Sequence, residues 1–120
     1  MPRANVDDLT AYLRDSTGES LRVVCRYDAE GYEVQYVRPD LRRETLDAEI
    51  ARTVDHLRGE SRAREQREFP FSDLNGTVRS FDEAVVMHFP LPQERGIVVT
   101  LDSDVARQLN EFMRECIERL

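Results

Sequence analysis

Three short stretches of this chain are apolar at neighbouring positions, and that limits how it can fold more than any other feature. Leu21, Val23, Val24 and Cys25 form the first, Val85, Val86, Met87 and Phe89 the second, and Ile97, Val98, Val99 and Leu101 the third. In an extended strand successive side chains point to opposite faces, so each stretch offers apolar groups on both sides of a sheet. Such strands must be covered on both sides, which places them at the centre of the sheet. Two further segments are more polar. Glu33 and Gln35 alternate with Tyr32, Val34 and Tyr36, and Arg79 and Ser80 interrupt the run from Thr77 to Phe81. These are expected at the edges.

The connecting segments fix the remaining elements. Asn5 can cap a first helix in which Val6, Leu9 and Leu13 share a face, Asp7 and Asp8 suit the positive end of the dipole, and Gly18 ends the helix. Leu21 to Asp28 and Tyr32 to Arg38 flank Ala29-Glu30-Gly31 as a β-hairpin. Thr45 is expected to cap a second helix with a narrow stripe of Leu46, Ile50, Val54 and Leu57, interrupted at Gly59. Glu60 to Glu68, with alternating charges, reads as a solvated helical tail or loop. Pro70 argues against a central strand over Phe69 to Leu74. Strands are expected at Thr77 to Phe81, Ala84 to Leu91 and Gly96 to Asp102. A last helix, capped by Ser103, has one continuous face of Val105, Leu109, Phe112, Met113, Cys116 and Leu120. Short connections favour antiparallel neighbours, and strand order 2-1-5-4-3 meets the centre-and-edge ranking. The expected fold is α+β, a five-stranded antiparallel sheet with one helix on one face and two on the other.

This succession of elements resembles the profilin-like folds, and among them the roadblock dynein-light-chain family, in topology alone. At residue level, Ser20 to Asp28, Gly31 to Arg38 and Thr77 to Pro90 are similar to a group of small haloarchaeal proteins with no assigned activity. That resemblance implies a salt-adapted setting and supplies no catalytic residue.

The charge pattern fits such a setting. All 17 basic residues are arginine, against 24 Asp and Glu, for a net charge of -7. Codon bias accounts for the missing lysine but not for the carboxylate excess, whereas salt adaptation accounts for that excess. Without an ε-amine, Schiff-base catalysis, pyridoxal phosphate attachment and a phosphate-loop lysine are all excluded. The 120 residues read as one domain, 1–120, able to bury its own core. No apolar stretch suits a signal peptide or a membrane span, so a cytoplasmic location is expected. Cys25 and Cys116 read as two buried thiols acting as small hydrophobes.

The sequence offers little for catalysis. His88 lies mid-strand and His56 on the second helix, and each reads more simply as a packed or exposed side chain than as a base. A His56/His88/Cys25 metal site has no supporting ligand spacing. The carboxylate pairs Asp7/Asp8 and Asp102/Asp104 belong to helix starts, and Asp82/Glu83 to a turn. No nucleophile elbow, zinc-protease helix, phosphate loop or calcium loop is present. No cofactor is expected. Between Arg38 and Arg67, Arg42, Arg43, Arg58, Arg62 and Arg64 suggest nucleic-acid binding, with Tyr27, Tyr32 and Tyr36 as stacking faces. However, Asp40, Glu44, Glu60, Glu65 and Glu68 nearly cancel the charge, and phosphate contacts weaken steeply with salt.

The sequence therefore points to a non-enzymatic interaction or regulatory protein acting as a homodimer with an unidentified protein partner. Thr77, Arg79 and Phe81 on an edge strand, with Leu46 and Ile50 on the narrow second helix, are the candidate interface residues. A nucleic-acid role for Arg38 to Arg67 and a hydrolase-like role for His88 are the alternatives.

Overall fold

A computed structural model describes residues 6–41, 44–59 and 69–120. Helix α1 (Val6–Thr17) leads through a 3₁₀ turn into strands β1 (Leu21–Tyr27) and β2 (Tyr32–Val37). Helix α2 (Leu46–Arg58) follows, then β3 (Thr77–Ser80), β4 (Ala84–Leu91), β5 (Arg95–Asp102), a second 3₁₀ turn over Ser103–Ala106 and helix α3 (Arg107–Glu118). The five strands are antiparallel in the order β2-β1-β5-β4-β3. This is the α+β sheet expected from the sequence, with the three doubly apolar strands at its centre.

Two cores lie on opposite faces of the sheet. Val6 and Leu13 of α1 pack with Leu21, Val24, Ile97, Val99 and Leu101, while Ile50, Val54 and Leu57 of α2 pack with Val23, Cys25, Tyr27 and Val98. Leu21 and Val23 would share a face in a regular strand. The β1–β5 pairing shifts register between them, and this extra residue turns Leu21 toward α1 and Val23 toward α2. A second shift, between Val24 and Cys25, occurs where β1 meets β2. Gly18, at φ +57°, makes the left-handed turn after α1 that a residue with a Cβ adopts only at a cost.

The ends of β1, β2 and β5 meet at one carboxylate. Asp102 accepts from Arg38 at 2.7 Å and from Arg22 at 3.2 Å. Arg38 also donates to Asp40 at 2.6 Å and to the Glu19 carbonyl at 2.7 Å, which ties the turn after α1 to the sheet. These bonds hold the Asp102 carboxyl below its usual range, with the Arg38 hydrogen bond the largest cause and the Arg22 hydrogen bond adding to it.

Several details depart from the sequence reading. The Asn5 cap lies outside the described residues. Strand β3 ends at Ser80, so Phe81 lies in the turn. The last helix starts at Arg107, because Ser103 to Ala106 form the 3₁₀ turn first. The largest departure concerns what covers that helix.

Candidate interaction surface

No residue of α3 is buried. Leu109, Phe112, Met113 and Ile117 are 47%, 67%, 40% and 61% exposed, although they share one side of the helix. Among the described residues, side-chain bonds from the sheet and the preceding turn anchor the helix at its start. Ser80 Oγ donates to Asn110 Oδ1 at 2.5 Å, and Asn110 Nδ2 donates to the Ser103 carbonyl at 3.1 Å. Beyond Asn110 the side-chain hydrogen bonds among the described residues stay within the helix, where Arg119 bonds Glu115. Cys116 is exposed on this helix and is not the buried thiol expected from its apolar neighbours. Cys25 is buried, and burial pushes its thiol up to about 11, partly offset by a backbone hydrogen bond from Glu33 and by the charge of Arg58.

Beside the root of α3 the sheet is uncovered. A groove of about 800 Å³ runs between the end of α1 (Leu13, Thr17), the β3–β4 half of the sheet (Val78, Met87) and Val105 and Leu109. Val78 pairs with Met87 and so faces the α1 side of the sheet, yet it is 54% exposed. Strand β3 is the last in the sheet, and no described strand pairs with its outer edge. Phe81 projects from the turn beside it, 56% exposed. An apolar helix face, an apolar groove and the last strand edge of the sheet thus adjoin one another. Contiguous exposed apolar surface of this kind makes this region the candidate interaction surface among the described residues.

Of the expected interface residues, only Phe81 is fully open. Thr77 and Arg79 are half-buried, with Arg79 Nη1 donating to Thr77 Oγ1 at 3.0 Å. Ile50 is buried at 8% exposure, and Leu46 packs against the same core. The apolar stripe of α2 is therefore spent on the sheet within one chain, and it is α3 that lacks cover. Periodicity revealed the α3 face but could not say what covers it.

His88 is 2% exposed, and its Nε2 lies 2.7 Å from the Tyr27 hydroxyl. It packs in the core, as the packed side chain that the sequence favoured. His56 is exposed on α2, and among the described residues no group of three or more His, Cys, Asp or Glu side chains could hold a metal. The nucleic-acid reading also weakens. Arg58 donates to the carbonyls of Asp28 at 2.8 Å and Gly31 at 3.0 Å, bonds Asp55 and lies over the Tyr27 ring. Arg38 is engaged as described above. Arg42, Arg43, Arg62, Arg64 and Arg67 lie outside the described residues. Tyr27 is buried and Tyr36 lies under Arg14, which leaves Tyr32 the most exposed of the three proposed stacking faces.

A family model for a domain of unknown function, DUF7522, matches residues 7–120. The chain belongs to the DUF7522 family. That match spans both cores and all of α3, so the exposed helix is part of the DUF7522 domain as much as the sheet is. No curated protein and no solved structure matches the chain. No helix among its described residues is long and apolar enough to cross a membrane.

Proposed function

We propose that this DUF7522 protein is a non-enzymatic interaction module that acts as a homodimer in the cytoplasm of a salt-adapted cell. The observation that carries this reading is the exposed apolar face of α3 beside a strand edge with which no described strand pairs. The chain carries a net charge of -7, and that excess alone would keep copies apart. In concentrated salt the Debye length falls to about 3 Å, so repulsion between copies fades while apolar burial persists. The profilin-like order of helices and strands fits a scaffold whose edge and last helix carry the contacts. Light scattering in concentrated KCl tests the proposal. The expected particle has twice the chain mass of 14.0 kDa, and F112S reduces it to a monomer with an unchanged circular dichroism spectrum. A wild-type monomer at high protein concentration would sink the reading.

A further inference from the structure

Both halves of a reciprocal contact are present in one chain. The groove beside β3 and β4 has apolar walls with nothing described seated in it, and α3 has an apolar face with nothing described against it. Resting on the homodimer reading above, we propose that α3 of one copy lies in the groove of a second copy, which returns its own α3 in the same way. A two-fold axis then covers both grooves and both helices with a single kind of contact.

Area and charge favour a second copy as the occupant. An aromatic side chain carries about 150 to 250 Å² of surface, so the open fractions of Val78, Phe81, Leu109, Phe112, Met113 and Ile117 total on the order of 600 Å² per chain, most of the ~800 Å² that each partner gives a standard interface. The charges along α3 and its end also balance, with Arg107, Arg114 and Arg119 set against Glu111, Glu115 and Glu118. In a chain with seven excess negative charges, this helix can approach another copy without net repulsion. Its start is fixed beside β3 by the Ser80–Asn110 bond, while no side-chain bond among the described residues ties its later turns to the sheet.

The native thiol of Cys116, exposed on α3, reports where the helix lies. V78C and T17C, each combined with C116S, place a thiol on opposite walls of the groove. Each variant is mixed with differently tagged wild-type chain in concentrated KCl, oxidised mildly and mapped by mass spectrometry. The expected product is a covalent pair joining position 78 or 17 of one chain to Cys116 of the other, lost when both chains also carry F112S. If neither wall joins Cys116 of the other chain while light scattering still gives a dimer, the groove seating is overturned and the dimer reading stands. Disulfides only between two Cys116 thiols would assign the dimer to helix-on-helix pairing, and disulfides only between two V78C thiols to β3 edge pairing. A monomer mass, with the native Cys116 of a V78C single variant joined to position 78 of its own chain, would overturn both readings.

Discussion

Gly96 of β5 lies directly beneath the ring of Tyr27, its partner across the β1–β5 pairing, and a Cβ built on Gly96 would come within 2.4 Å of the phenol oxygen and 2.5 Å of the ring carbon that bears it. The absent side chain opens a path. Tyr27 on β1 leans across β5 at this point and reaches His88 on β4, two strands away.

Replacing Gly96 with alanine therefore blocks that path. Tyr27 is buried and hydrogen-bonded, so it cannot swing aside without losing its contact. G96A is expected to cost about 1 to 3 kcal/mol, the range for overpacking a well-filled core, read as a lower urea midpoint at constant slope. An unchanged midpoint would mean that the ring yields freely.

The Tyr27–His88 bond itself should behave as a coupled pair. Y27F takes one partner from a buried polar contact, with an expected loss of about 1 to 3 kcal/mol. The double variant Y27F/H88L is expected to lose less than the sum of the two single changes, with a coupling of about 0.5 to 3 kcal/mol in urea melts. Strict additivity would show that the two rings are neighbours without an energetic bond.

Acid should loosen the corner at Asp102. Its carboxyl is held below the usual range by Arg38 and then Arg22, and a carboxyl with a lowered folded-state value stabilises the fold above the unfolded-state value of about 3.9 and loses that contribution as pH falls through the folded-state value. D102N is expected to cost about 1 kcal/mol at neutral pH, a figure kept small because the side chain is 37% exposed and screened. It should also flatten the wild-type decline in thermal midpoint below about pH 4. Parallel pH profiles for D102N and wild type would contradict this.

The two thiols should differ sharply in reactivity. Cys25 is buried and its thiol is raised to about 11, so at pH 8 a water-soluble disulfide reagent is expected to reach it only after unfolding, because the thiolate is the reacting form. Cys116 is exposed within one chain and should react in the native protein, more slowly as protein concentration rises and copies associate. Rapid modification of both thiols in the folded protein would show that the α2 face of the sheet opens readily.

Much of the sheet was legible because Val23 and Val24 in β1, and Val98 and Val99 in β5, put apolar side chains on both faces, and strands of that kind have only the middle of a sheet to occupy. The two register shifts along the pairings of β1 were not legible. They answer to pairing with β2 and β5 and leave no mark on local composition. Gly96, taken in the sequence only as the first residue of a strand, did carry a usable signal for the Tyr27–His88 contact, since a lone glycine beside an apolar strand points to a close approach. Ile50 and Phe112 show the limit of periodicity from opposite sides. Both lie on amphipathic helices, yet Ile50 is buried and Phe112 open, because a hydrophobic stripe records a need for cover without naming what meets it.

The last helix contributes no residue to either core. Folding therefore places few demands on Leu109 to Ile117, and under the homodimer proposal substitutions there would alter which surfaces the protein recognises while the sheet keeps its shape. On that proposal recognition and architecture are written in separate parts of this chain, and one can drift without dragging the other along.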